Sequence, residues 1–305
     1  MSPHSAAKRI GIIAWLLSTA LALAACATSA EPGGNEITVV ATTSIMGGIA
    51  SGVMGDQGDV EVLIPIGVDS HDFLPSAQQA SLIAGAGLVV ANGLGLEQGL
   101  QDLLEASERD GTRIVELAPL VDPLPFSEHG GHDPHFWMDP IRVGAAAEAL
   151  AAELTKLYPD GGWQQRAQGY VAEMESTDRA INDLFDGIPN LQRLMVTNHQ
   201  AFGYFAARYG FEVIGVVIPG GSTLAEPSSA ELAALVETME REGARVIFAE
   251  TSQPSALAES VAAELGDDVR VVELFTESLG SIGSGAETLS KMLYTNAERM
   301  ASALG

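Results

Sequence analysis

Cysteine is almost absent. The chain of 305 residues contains one, Cys26, so no disulfide can form within it. Basic residues are scarce: 15 lysines and arginines stand against 40 aspartates and glutamates, a formal net charge of −25. That balance excludes nucleic acid as a partner, because phosphate binding needs clustered Lys and Arg. It suits an exported soluble surface, or one that draws in cations. Long apolar runs are lacking too. The stretch "IGIIAWLLSTALALAA", residues 10–25, falls short of the roughly 20 residues that a spanning helix needs. Two catalytic signatures are also missing. No H-E-x-x-H occurs, and the G-x-G of "NGLGLEQG" (92–99) lacks both the dinucleotide-binding spacing and its later acidic partner.

Apolar residues are plentiful, at 47% of the chain, and point to a packed globular protein of two domains. The N-terminus has the layout of an export signal: Lys8 and Arg9, then the short apolar stretch, then small residues. It ends in "LAAC", residues 23–26, which resembles the bacterial lipobox. That resemblance implies cleavage before Cys26 and lipidation of its thiol and new amine, several acyl chains being enough for stable anchoring. Loss of residues 1–25 removes Lys8, Arg9 and no acid, which carries the formal charge from −25 to −27. Residues 26–36, "CATSAEPGGNE", then read as a flexible tether.

From residue 37 onward, short β-branched strands alternate with helical patterns. Strands are expected at "EITVVATTS" (36–44), "VEVLIPI" (60–66), "LVVAN" (88–92) and "RIVEL" (113–117), with helices between them. The plan repeats at "RLMVTNH" (193–199), "FEVIGVVIP" (211–219), "ARVIFAE" (244–250) and "VRVVELF" (269–275). This alternation predicts an α/β fold of two similar lobes, each a mostly parallel sheet flanked by helices. Pro-Ser helix starts at "LPSAQQASL" and "EPSSAELAAL" strengthen the likeness between the halves. Between them, apolar positions at Trp163, Ala167, Tyr170, Val171, Met174, Ile181, Leu184 and Phe185 keep helical spacing. One long, stiff helix is expected to join the lobes. The expected boundaries are 1–25 signal, 26–36 tether, 37–160 N-terminal lobe, 161–187 connecting helix and 188–305 C-terminal lobe.

Histidine is rare enough to be informative. Apart from His4 in the leader there are five: His71, His129, His132, His135 and His199. His71, His135 and His199 each follow a predicted strand, so all three belong at strand carboxyl ends, where parallel sheets place their sites. Three imidazoles in one cleft approach a zinc site, and a carboxylate could complete the tetrahedron. Each alone could equally cap a helix or fill a rim position. Glu250, ending "VIFAE", could orient an imidazole N–H, serve as a reserve ligand or cap a helix. Asp139 before Pro140 reads as an N-cap. Phe136 and Trp137 are expected to wall the site.

The segments "HDFLPS" (71–76), "DPHFWMDP" (133–140), "TNHQAFGYFAARYG" (197–210) and "FTESLG" (275–280) resemble, in order, the four site motifs of one family. This is the zinc/manganese family of ABC-importer solute-binding lipoproteins, cluster A-I. "NGLGLE" (92–97) fits its pattern, and the likeness extends over about 37–304. It implies two α/β lobes joined by one long helix, with metal ligands at His71, His135, His199 and Glu277. The family usually has Asp at the last position, and Glu277 is one methylene longer. Histidine at the third position goes with zinc in the family and glutamate with manganese, so His199 points to Zn²⁺, with Mn²⁺ the alternative. Imidazole ligands also suit Zn²⁺ better than Mn²⁺. His129 and His132, in "SEHGGHD", are expected to form a solvated loop or a weak auxiliary site.

The expected function is extracytoplasmic capture of Zn²⁺ between the lobes and its delivery to a membrane permease and its ATPase. The protein is expected to be a non-enzymatic, membrane-anchored monomer. A zinc-dependent hydrolase is the rival from another class, since three histidines plus an open position would make a catalytic centre. Because neutral imidazoles bind metal, affinity is expected to fall below about pH 6.5.

Overall fold

Strand β1, Ile37–Ala41, begins the part of the chain that the computed structural model describes, residues 37–126 and 130–305. It pairs in parallel with β2 (Gly58–Val62) on one side and β3 (Leu88–Ala91) on the other. β3 in turn pairs with β4 (Ile114–Glu116), which gives the order β2-β1-β3-β4. The second sheet, from β5 (Leu194–Thr197), β6 (Glu212–Val216), β7 (Val246–Glu250) and β8 (Arg270–Leu274), has the order β6-β5-β7-β8. The two orders are the same, and every pairing is parallel. Among the central strands, "LVVA" in β3 and "VIFAE" in β7 are wholly buried, as a sheet covered on both faces requires.

Several helices begin where the sequence offers caps. α1 (Ser44–Met54) starts at Thr43, whose hydroxyl accepts the Met46 N–H. α2 (Ala77–Gly85) opens with a capping box between Ser76 and Gln79, and α7 (Ser229–Glu242) with the equivalent box between Ser228 and Glu231. The repeated Pro-Ser start is therefore a repeated physical device. α3 is Gln101–Arg109, α6 Gly203–Tyr209 and α8 Ala256–Leu265. α4 (Pro140–Leu157) has Asp139 as its N-cap and Pro140 in the first turn, where a missing N–H is harmless. α9, Leu289–Leu304, closes the chain.

Helix α5, Trp163–Phe185, is the long helix expected between the lobes. It packs along α4 and also against α1 and α9, so it touches elements from both halves. Its buried positions are Trp163, Ala167, Met174, Thr177, Asp178, Ile181 and Phe185. At one end, Phe185 sits among Phe205, Tyr209 and Phe211 with ring centroids 4.9–5.9 Å apart. Midway, α1 passes so close that a Cβ on Gly52 would lie 2.5 Å from the Tyr170 ring. One apolar core runs through both sheets by way of these helices.

Some boundaries differ from expectation. β2 covers Gly58–Val62 rather than 60–66; beyond it Leu63 N and Ile64 N still donate to Ala41 O and Thr42 O, both at 2.9 Å, before the chain turns away at Pro65. The helix after β5 begins at Gly203, not residue 200, since the backbone at His199 and Gln200 is bent to meet Gly220 and the site. No helix among the described residues is long and apolar enough to cross a membrane. The leader, Cys26, the tether and His129 lie outside the described residues.

Candidate metal centre

Because each sheet is parallel, the loops after its strands emerge on one edge, and chemistry collects there. His71 is in the loop after β2, His135 in the loop between β4 and α4, His199 just past β5 and Glu277 just past β8. β5 and β7 flank the point where the second sheet's connections reverse direction, so His199 and Glu250 meet there.

His71, His135, His199 and Glu277 each bring one donor atom into a group lying within 4.8 Å. Their side chains are almost fully buried: relative exposure is 1% for His71, 0% for His135 and His199, and 2% for Glu277. His135 Nε2 is 3.4 Å from His71 Nε2 and 3.2 Å from His199 Nε2. Glu277 Oε1 is 3.5 Å from His135 Nε2 and 3.6 Å from His199 Nε2, and its Oε2 is 3.7 Å from His71 Nε2. Zinc bonds of about 2.0–2.1 Å require tetrahedral edges of roughly 3.3–3.4 Å between donor atoms. The five separations above bracket that value and the donors of all four residues lie within 4.8 Å of one another, a spacing that small movements would close on a four-coordinate ion.

The surrounding hydrogen bonds set which nitrogens face inward. His199 Nδ1 lies 2.5 Å from Glu250 Oε1, and His135 Nδ1 lies 2.7 Å from Asp133 Oδ1. With Nδ1–H donated outward, each ring turns the lone pair of Nε2 toward the centre. Lone pairs at 3.2 Å repel unless a cation or a proton lies between them. Glu277 Oε2 accepts from Ser70 Oγ, whereas Oε1, facing the imidazoles, has no hydrogen-bond partner among the described residues. A buried carboxylate oxygen without a donor is costly, and a metal ion would satisfy it.

Charge follows the same geometry. Burial, then the neighbouring His135 and His199, push the His71 imidazole down to about 2. Burial also works against protonation of His199, but Glu250, Glu277 and Asp69 outweigh it and raise that imidazole to about 9. Burial raises the Glu277 carboxyl, against the pull of His135 and His199. The carboxylates around His199 favour its protonated form, and an ion bound at Nε2 would release that proton.

The structure thus brings together the four ligand candidates and places Glu250 on His199 as an orienting carboxylate. Asp72 is exposed, and His132 is exposed and lies outside the group of four. Asp139 caps α4, accepting from Ile141 N at 2.9 Å. Trp137 is buried with its ring 5.2 Å from that of His135, and it donates to Thr276 O at 2.9 Å, while Phe136 backs Trp137. Three polar partners went unread in the sequence: Asp133, Ser70 and Asp69. The repeated Asp-x-His of "DSH" and "DPH" was their available signal. Gly203 has a reason of its own, since a Cβ there would lie 2.6 Å from Asp133 Oδ2 and displace the carboxylate that orients His135.

Two like α/β lobes, a long helix packed on both, and a buried donor cluster drawn from both define a bilobal solute-binding protein. The family described as "ZnuA: Zinc-uptake complex component A periplasmic" matches residues 39–303, and the chain belongs to that family. It is accordingly the extracytoplasmic component of an uptake complex and not an enzyme. Among curated proteins it is 29% identical to the manganese-binding lipoprotein MntA of Halalkalibacterium halodurans over 295 residues, 95% of this chain and 96% of that one. It is 32% identical to the zinc-binding protein TroA of Treponema pallidum over 261 residues, 81% and 83% of the two chains. The solved periplasmic zinc-binding TroA structure superposes with a TM-score of 0.80 at 28% identity, covering 88% of this chain and 99% of that chain.

Proposed function

We propose that this protein captures Zn²⁺ through His71, His135, His199 and Glu277 and hands it to the permease and ATPase of an ABC importer. The observation that carries this reading is the set of 3.2–3.7 Å separations among buried donors contributed by both lobes. Three nitrogens and one oxygen favour Zn²⁺ over Mn²⁺, which prefers more oxygen. Glu250 and Asp133 act by holding His199 and His135 in the binding tautomer. Because donors come from both lobes, the ion ties them together, and delivery requires that tie to loosen. Lipid chains on Cys26 would keep the protein, as a monomer, at the outer face of the membrane that holds its permease.

Manganese is the second reading. Both Glu277 oxygens lie 3.5–3.7 Å from imidazole nitrogens, so a bidentate carboxylate would give a larger ion two oxygens. Several relatives, such as MntA, carry manganese in their names. Competition titration with Zn²⁺ and Mn²⁺ tests the readings in one direction. Zinc delivery predicts one ion per chain and displacement of Mn²⁺ by stoichiometric Zn²⁺. Because Zn²⁺ outbinds Mn²⁺ at most such sites, the converse result, retention of Mn²⁺ against equimolar Zn²⁺, would decide for manganese.

A further inference from the structure

Two of the three histidines in the cluster stand in the same motif, Asp69-Ser70-His71 and Asp133-Pro134-His135. In each, an aspartate Oδ1 accepts the backbone N–H of the histidine at 2.9 Å. Beyond that point the two carboxylates behave differently. Asp133 Oδ1 also takes the His135 Nδ1 proton, which fixes the ring. Asp69 leaves His71 Nδ1 without a partner among the described residues. Its second oxygen turns instead to the other lobe, where Thr223 Oγ1 and Gln253 Nε2 both donate to it. Thr223 lies in the loop after β6. Gln253 lies in the loop after β7, just beyond the Glu250 that holds His199. Asp69 is buried, while Thr223 and Gln253 are half-buried.

We propose that Asp69 is a positioning residue that latches the lobes over the bound ion. One oxygen holds the His71 backbone, and the other holds two loops of the second lobe through Thr223 and Gln253. The proposal rests on the metal-capture reading above. Parting the lobes strips two donors from a buried carboxylate, a strongly disfavoured step unless the carboxylate becomes hydrated. His71 is the imidazole of the three with no orienting hydrogen bond on Nδ1, so a shift of Asp69 moves it directly. His135 and His199 stay fixed by Asp133 and Glu250. His71 is therefore the ligand that leaves first, and the latch sets how fast the ion is released.

The test is stopped-flow transfer of Zn²⁺ from the full-length protein in detergent to excess chelator. Thr223→Val combined with Gln253→Leu removes both cross-lobe donors without touching a ligand, and should speed release at least ~10-fold. The visible spectrum of the Co²⁺-loaded double variant should match that of the unaltered protein, since the ligands are unchanged. Thr223→Ser alone, which keeps the hydroxyl, should release Zn²⁺ at the unaltered rate. A release rate in the double variant within about twofold of the parent, or an altered Co²⁺ spectrum, would overturn the latch. Failure of the unaltered protein to take up Zn²⁺ or Co²⁺ at all would overturn the metal-capture reading beneath it.

Discussion

Glu250 Oε1 lies 2.5 Å from His199 Nδ1, joining the end of β7 to the loop after β5 with both side chains fully buried. The pair sets the tautomer of His199, and Glu250 is the largest of the charges that raise its basicity. Glu250→Gln keeps an acceptor for the Nδ1 proton but removes the charge. Zn²⁺ affinity should fall ~10–100-fold with the fold retained, measured by competition against a chromogenic chelator. His199→Ala, which removes a ligand, should weaken binding by orders of magnitude more. Equal losses in the two variants would make Glu250 a ligand itself.

Affinity should depend on pH higher than the ordinary histidine range suggests. His199 is raised to about 9 in the metal-free protein, so near neutral pH it holds a proton that an incoming ion must displace. Affinity therefore climbs as pH rises toward about 9 and falls as pH drops below it, with about one proton released per ion bound at pH 7.5. His71, held down to about 2, is already neutral and adds no proton release across that range. The expectation from unperturbed imidazoles, a fall beginning near 6.5, is thus moved upward by the carboxylates around His199. Calorimetry in buffers of different ionisation enthalpy counts the protons, and Glu250→Gln should shift the profile to lower pH.

Glu277 reaches in two directions, with Oε2 taking the Ser70 hydroxyl and Oε1 facing His135 and His199. Glu277→Asp keeps the charge but is one methylene too short for both contacts. It should weaken Zn²⁺ binding ~10-fold, whereas Glu277→Gln should weaken it by orders of magnitude. Titration of both variants checks the ordering.

Phe185 tests the long helix as a packing element rather than a tether. It is buried among Phe205, Tyr209 and Phe211. Phe185→Ala should cost ~3–5 kcal/mol of stability, read from denaturant unfolding, while the folded fraction still binds one ion. A change under about 1 kcal/mol would mean that α5 is not held by this aromatic cluster.

Much of this was legible in the sequence because it depends on local pattern. The apolar runs of β3 and β7, the Ser76 and Ser228 caps, the helical spacing from Trp163 to Phe185 and the Asp139-Pro140 start all act within a few residues. The convergence of His71, His135 and His199 followed from their places after parallel strands, whereas Glu277 was reached only through the family resemblance. The parts that stayed hidden depend on distant partners. Asp69 and Asp133 share a motif, yet one fixes a ring and the other spans the lobes, a difference set by Thr223 and Gln253 more than 150 residues away. Ser70 likewise finds Glu277 only in the folded chain. The first and last residues of β2 and α6 were misplaced because tertiary turns, not propensity, end those elements.

Anomalous scattering at the zinc edge, from crystals of the protein grown with equimolar Zn²⁺, tests the central claim most directly. The account predicts one strong peak per chain, about 2.0–2.2 Å from His71 Nε2, His135 Nε2, His199 Nε2 and a Glu277 oxygen. A peak elsewhere, or one bonded to fewer than three of these residues, would contradict it.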